Sequence, residues 1–346
     1  MESFTPATNT QPKSCIIIGG GICGLIAGTV LQRHGIHVTI VDKGRGIGGR
    51  LATRRISHPL YGEGVCDYGA QFFTVSDPRF QLWVDEWLQQ GVIGEWSRQF
   101  TDTEQPAYRG LKSNRSIAQH LAKDLIVHTQ TQAVELAWEA ASWRVRAENG
   151  TEFQGDTAIV TAPIPQTLTL LDRSAIELSS ELRHRLEAMI YQPCIAVLAL
   201  LDRPSSIPEP GGLRLKDPSL AWIACNQKKG ISPQATAITL HATPEFSQTH
   251  WELDHSEIAT KLLDLAAPWL GATVVEYQVQ RWLYSQPQTC YGASFIALPQ
   301  PGLLAIAGDA FASTYPPEPS LHLETAVLSG LAAANYLLNK TGVLTH

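Results

Sequence analysis

The chain has 346 residues, 44% of them hydrophobic and 17% charged, and its 26 Lys and Arg stand against 32 Asp and Glu for a net charge of −6. These fractions suit a folded globular chain and exclude a disordered one. An acidic balance without a basic tract also excludes a nucleic-acid partner, because neutralising phosphates requires clustered Lys and Arg.

At this length about two domains are expected. Residues 1–13 are polar, lack the charged-then-apolar order of a signal peptide, and read as a disordered tail. Cys15, Cys23, Cys66, Cys194, Cys225 and Cys290 are scattered, with no CxxC pair and no accompanying His spacing. Neither a disulfide framework nor a metal site is therefore expected, and a reducing cytoplasm is the expected setting. No run reaches the roughly 18 apolar residues of a membrane helix, so no membrane partner is expected either.

Order begins with the apolar β-branched run Cys15 to Ile18, which ends in three glycines and reads as a buried parallel strand. A helix over Ile22 to His34, closed by Gly35, and a second strand over Ile36 to Val41 complete a strand–helix–strand crossover. Apolar residues recur at helical spacing from Asp77 to Gln90, and Asp77 before Pro78 fits an N-cap followed by proline at the first helical position. From Leu125 to Val160 short strands take over, with Asn149-Gly150 marking a hairpin. Pro163 and Pro165 read as a change of domain, and a helix follows at Leu178 to Ile190. Strands are expected at Ile195 to Leu201, Leu220 to Cys225, Ala237 to His241 and Val274 to Leu283, with a helix over Glu257 to Leu265. A final strand, Gly302 to Ile306, runs into Ala307-Gly308-Asp309, and a long helix covers Leu321 to Leu338.

Gly19-x-Gly21-x-x-Gly24 follows the first strand as a dinucleotide fingerprint requires. The first glycine permits the tight turn, the second a close approach of backbone to a pyrophosphate, and the third close packing of helix on strand. The helix start at Ile22 and Cys23 would present free N–H groups to phosphates. Asp42, at the end of the second strand, is placed to accept ribose hydroxyls. In the following Lys43-Gly44-Arg45-Gly46-Ile47-Gly48-Gly49-Arg50, the glycines let the backbone run close to a cofactor and Arg50 can offset phosphate charge.

This second glycine element resembles that of flavoproteins related to monoamine oxidase. Asp67-Tyr68-Gly69-Ala70-Gln71-Phe72 resembles the stretch that passes the flavin ring in renalase and its bacterial relatives, and Ala307-Gly308-Asp309 resembles the C-terminal GD motif. Tyr191-Gln192-Pro193-Cys194, Leu240-His241-Ala242-Thr243 and Arg281-Trp282-Leu283-Tyr284 also resemble renalase-like proteins. The resemblance implies an α/β fold in which a discontinuous Rossmann-type domain, residues 14–75, 111–165 and 285–340, binds FAD. A mixed-sheet substrate domain, residues 76–110 and 166–284, is inserted into it. It implies cofactor contacts at Gly19, Gly21, Ile22, Cys23, Gly24, Asp42, Lys43, Arg45, Gly49 and Arg50. Further contacts are implied at Gly69, Ala70, Gln71, Phe72, Val134, Gly308, Asp309, Leu323 and Glu324, the last two through backbone N–H groups. His241, Trp282, Tyr284, Trp222 and Tyr191 are the implied catalytic or enclosing residues. Covalent attachment in related amine oxidases uses a cysteine near the C-terminal glycine motif. Here Cys290 is the nearest and precedes the 302–306 strand, so non-covalent FAD is expected.

The activity implied is oxidation of a reduced nicotinamide dinucleotide isomer, of NAD(P)H type, with O2 as acceptor. An amine oxidase is the alternative. That chemistry commonly uses a strand lysine, and none stands plainly on the strand wall, Lys228 and Lys229 reading as a solvated loop. A flavin-binding regulatory protein without turnover is a third reading, because an FAD site does not by itself prove catalysis. Oligomeric state is left open.

Overall fold

The computed structural model describes residues 14–100, 104–312 and 322–342; the expected tail, residues 1–13, and Leu321, the expected first residue of the last helix, lie outside them. The opening crossover forms from β1 (Ser14–Ile18), α1 (Ile22–Arg33) and β2 (His37–Val41). Nine of the twelve residues of α1 are buried, so this helix is covered on nearly all sides. A 3-10 turn at Gly49–Leu51 leads into the hairpin of β3 (Thr53–His58) and β4 (Gly62–Asp67). In α2 (Pro78–Gln89) the Asp77 side chain accepts a hydrogen bond from the Arg79 N–H at 2.8 Å, the N-cap that its sequence predicts.

β5 (Ile93–Ser97) and β6 (Ala107–Gly110) form a second hairpin, followed by α3 (Arg115–Leu121) and β7 (Ile126–His128). β8 (Ala133–Glu139), β9 (Ser142–Ala147) and β10 (Glu152–Gly155) make a three-stranded sheet, with Gly150 at φ +83° turning β9 into β10. After β11 (Thr157–Val160) comes a helix the sequence reading lacks, α4 (Ile164–Arg173). Pro163 and Pro165, read from the sequence as a change of domain, sit at its entrance, where a missing N–H loses no helical bond. The chain continues through α5 (Ser180–Glu187), β12 (Tyr191–Leu201), β13 (Gly212–Arg214), β14 (Leu220–Cys225) and β15 (Thr236–Ala242). α6 (Pro244–Thr249), α7 (His255–Leu270), β16 (Val274–Pro287), β17 (Ile296–Leu298), β18 (Leu304–Ile306) and α8 (His322–Lys340) complete it.

One sheet has the order β17-β18-β11-β1-β2-β7, parallel except for the β17–β18 pair. The chain leaves β1 for β2 on one side and later places β11 on the other. The strand order therefore reverses beside β1, where open α/β sheets bind ligands at the carboxyl ends of their strands. The other large sheet, β13-β14-β15-β12-β16, is antiparallel throughout. One of its faces packs on α7 through Ile223, Leu240 and Val279, and the other meets the β3–β4 hairpin through Leu198, Leu200 and Ile56. Phe80, Trp83, Val84 and Trp87 of α2 share a core with α1 and α8. Trp96 of β5 instead joins an aromatic group with Phe72, Phe100 and Trp222.

Candidate cofactor and substrate cleft

A cleft of about 2030 Å³ runs from the carboxyl ends of β1 and β2 to the face of the antiparallel sheet. At its first end the two glycine elements are joined backbone to backbone. The Gly48 N–H donates to the Gly20 carbonyl at 2.8 Å, and Gly21 pairs with Gly48. A Cβ on Gly24 would stand 2.1 Å from the Gly19 carbonyl oxygen, so α1 seats directly on the turn, whereas a Cβ on Gly21 would meet no protein atom within 4 Å. Gly21, Ile22 and Cys23 line the cleft, and α1 has neither a side-chain cap nor an acidic residue in its first turn. Its N–H groups and positive dipole end are thus left to an anionic ligand. Asp42 accepts from the Gly20 N–H and the Gly44 N–H, both at 2.6 Å, which fixes the two turns while each oxygen retains lone-pair capacity.

Arg50 and Asp309, separate cofactor candidates in the sequence, are partners here: the guanidinium donates to both carboxylate oxygens at 2.5 and 2.7 Å, and to the Ser285 carbonyl at 3.1 Å. Both line the cleft, as do Lys43, Arg45, Gly49, Val134, Gly308 and Leu323. Glu324 does not: its carboxylate turns away to accept the Ser76 and Asp77 N–H groups at 2.7 and 2.9 Å, at the entrance of α2. Sequence reasoning misses His322, Arg115 and Thr161, which line the same end. Burial draws the His322 imidazole below its ordinary value.

At the other end stand Gly69, Ala70, Gln71 and Phe72, with His241, Trp282, Tyr284 and Trp222 from three strands of the antiparallel sheet. One backbone oxygen organises them. The Tyr68 carbonyl accepts from Trp282 Nε1 at 3.0 Å and lies 3.1 Å from His241 Nε2. Gln71 Nε2 donates to the Asp67 and Gly69 carbonyls at 2.7 and 3.1 Å, while its Oε1 accepts from Trp222 Nε1 at 3.3 Å. A carbonyl can only accept, so the His241 proton belongs on Nε2 and Nδ1 keeps its lone pair. Burial pushes the His241 imidazole down to about 4, against the raising effect of the Tyr68 carbonyl. It is therefore neutral at pH 7. Among the five expected catalytic or enclosing residues, Tyr191 does not line the cleft. It lies behind the wall in the core, its ring edge-on to Tyr284 at 5.7 Å and its hydroxyl accepting from the Ile164 N–H at 3.3 Å.

The turn carrying Lys228 and Lys229 is not the solvated loop expected. Lys228 Nζ donates to the Ile207 carbonyl at 2.6 Å. Lys229 is 1% exposed, and its ammonium donates to Asp67 Oδ2 at 2.8 Å and the Gln71 carbonyl at 2.6 Å, 4.8 Å from the centre of the Trp96 ring. Burial draws this ammonium below its ordinary value, opposed by Asp67. Asp67 also accepts from Thr53 Oγ1 at 2.6 Å and the Asn114 N–H at 3.1 Å. Lys229 thus holds the loop of residues 67–71 from behind and does not line the cleft. The lysines that do are Lys43, beside Asp42, and Lys112, ahead of α3.

Residues 17–87 match an NAD(P)-binding Rossmann-like domain, and residues 88–338, more than half of the chain, match the flavin containing amine oxidoreductases. The chain belongs to the flavin containing amine oxidoreductase family. Its fold is similar to that of an engineered triple variant of putrescine oxidase (TM-score 0.71, 13% identity, covering 95% of this chain and 99% of that one). It is also similar to a candidate protoporphyrinogen oxidase from Exiguobacterium sp. 255-15 (TM-score 0.68, 13% identity, covering 94% and 99%). At such identity the likeness concerns the fold alone.

This amine oxidoreductase family member is an FAD-dependent enzyme, and the cleft suits that cofactor. Gly21 leaves open space where a side chain would stand, and the α1 N–H groups border it. Non-covalent attachment fits the thiols present. Cys194, which lines the cleft, is pushed up to about 12 by burial, Cys23 is pushed up as well, and Cys290 does not line it. Thiols held protonated are poor nucleophiles. Acid precipitation is expected to release the yellow colour into the supernatant; colour kept in the pellet would show a covalent bond. No helix among the described residues is long and apolar enough to cross a membrane.

Proposed function

We propose that this flavoenzyme oxidises a reduced, isomeric dihydronicotinamide dinucleotide of NAD(P)H type, in the manner of renalase-like proteins, and not an amine. Bound FAD would supply the hydride acceptor, at N5, and a route for both electrons to O2, which with the transferred proton and one more from solvent gives H2O2. The observation that carries the reading is the substrate wall itself. His241 and Trp282 hang from one carbonyl, His241 is neutral, and the cleft-lining lysines, Lys43 and Lys112, belong to other elements.

A dihydropyridine becomes an aromatic cation when hydride leaves, so it needs positioning at about 3–3.5 Å from the acceptor and no strong base. Trp282 supplies a flat apolar surface for such a ring. His241 Nδ1, unprotonated, can accept from a carboxamide N–H and so choose which ring edge faces the flavin. The test is anaerobic flavin bleaching. A dihydronicotinamide isomer is expected to reduce the flavin and primary or secondary amines are not; the opposite pattern returns the amine-oxidase reading.

His241→Ala is expected to slow flavin reduction by roughly tenfold to a hundredfold, about 1.4–2.7 kcal/mol. Because burial lowers the imidazole to about 4, its charging should affect the rate only as pH falls toward 4, leaving the profile flat between pH 6 and 8. Stopped-flow reduction across pH measures both. A loss beyond about a thousandfold, with a pH dependence that disappears in the variant, would make His241 a general base.

A further inference from the structure

Arg54 lies on β3 with its guanidinium over the Tyr68 ring, Cζ 5.7 Å from the centroid, and the same ring stacks on Trp282 at 5.1 Å and 23°. Cation, phenol and indole thus form a ladder along the cleft, which all three line. The neighbouring arginines are occupied: Arg50 holds Asp309, and Arg55 faces Glu63 at 3.2 Å. Arg54 differs. Among the described residues its guanidinium pairs with no carboxylate, and its Nε is buried without a hydrogen-bond partner. A guanidinium carries five donors and does not shed its charge at any working pH. A buried donor left unmatched has lost its hydration without return, a loss that an anion arriving from the cleft would relieve. Arg109, Arg115 and Arg281 also have a buried, unmatched Nε, but Arg109 donates to the Gly110 and Leu111 carbonyls, Arg281 to the Leu253 carbonyl, and Arg115 has its guanidinium against Gly46 at the cofactor end.

We infer that Arg54 is the subsite for a phosphate of the reductant, holding a dihydronicotinamide nucleotide whose ring lies at Trp282 and His241. This rests on the reaction proposed above. Tyr68 stands 5.1 Å from the Trp282 ring and 5.7 Å from the guanidinium carbon, so one ligand lying along the cleft would meet the indole and the guanidinium in turn. The planar fork of Arg54 matches two phosphate oxygens at once. The group acts in binding and takes no part in hydride transfer.

Calorimetric titration of the FAD-loaded protein with oxidised nicotinamide mononucleotide and with nicotinamide riboside tests this without turnover. The mononucleotide is expected to bind at least tenfold more tightly, by an advantage that shrinks as salt is raised. Arg54→Gln is expected to abolish that advantage and Arg54→Lys to keep part of it. The inference is overturned if wild-type protein binds the two equally, fails to bind the mononucleotide at low salt, or keeps its preference in Arg54→Gln. The wild-type comparison decides even if the glutamine variant does not fold. A phosphate preference lost in Arg54→Gln, in a protein whose flavin no dihydronicotinamide reduces, would retain the subsite and remove the reaction. Flavin reduction by a dihydronicotinamide with equal riboside and mononucleotide affinities would do the reverse.

Discussion

Lys229→Met is expected to destabilise the fold by about 3–5 kcal/mol, because it leaves the Asp67 carboxylate buried as an uncompensated charge. Both side chains are fully buried, 0% exposed, and 162 residues apart in the chain. Asp67→Asn should cost a similar amount by stranding the ammonium. The double variant Asp67→Asn/Lys229→Met should recover much of either loss, since a neutral pair of similar volume escapes the desolvation cost. Urea unfolding of the FAD-loaded protein, followed by far-UV circular dichroism and flavin fluorescence, gives the three values. Single-variant losses below about 1 kcal/mol, or simple additivity in the double variant, would mean that the pair is solvated. The consequence reaches the site, because Lys229 also holds the Gln71 carbonyl and Asp67 begins the loop that presents the Tyr68 carbonyl.

Gly24→Ala is expected to weaken FAD binding and the fold together. Its Cβ would stand 2.1 Å from the Gly19 carbonyl oxygen and 3.1 Å from Ile17 Cγ2. The first contact is with backbone and cannot be relieved by a rotamer change, so α1 must lift from β1, moving the N–H groups that border the cleft. Overpacking of this kind costs about 1–3 kcal/mol; expressed fully in the cofactor site, that is about 5- to 150-fold in FAD affinity. Gly21→Ala is the control. Its methyl would meet no protein atom within 4 Å, so the apoprotein should keep its stability while FAD affinity falls. Flavin retained per chain after gel filtration, with apoprotein unfolding alongside, separates the two. Full FAD occupancy in Gly24→Ala would show that α1 does not rest on the turn as described.

Much of the architecture was legible before any coordinate. The β1–α1–β2 crossover, the glycine turns and Asp42 depend on neighbours within a few residues: an apolar run, a turn that only glycine fits, a helical period. The same holds for Asp77-Pro78 ahead of α2 and for Asn149-Gly150 between β9 and β10. Where the sequence reading missed, opposing signals were local and the deciding ones were distant. No helix is read after Pro163 and Pro165, yet a first helical turn accepts proline and α4 starts there. The β3–β4 hairpin, rich in charge, shows no clean alternation, because only Ile56 and Cys66 of its strands join the apolar core.

What only the tertiary structure decided concerns polar partners far apart in sequence. Arg50 and Asp309 are 259 residues apart, and their pairing is visible in neither motif. A two-lysine turn reads as solvated until Asp67 is brought beneath it. The group that joins His241 to Trp282 is a backbone oxygen, at Tyr68, and a carbonyl has no residue-type signature. Glycine spacing, apolar period and turn residues determined the cofactor-binding half, because those forces act along the chain. The buried ion pair, the neutral His241 and the Arg54 guanidinium set over Tyr68 were decided by which groups the fold brought together, because charge and desolvation act through space.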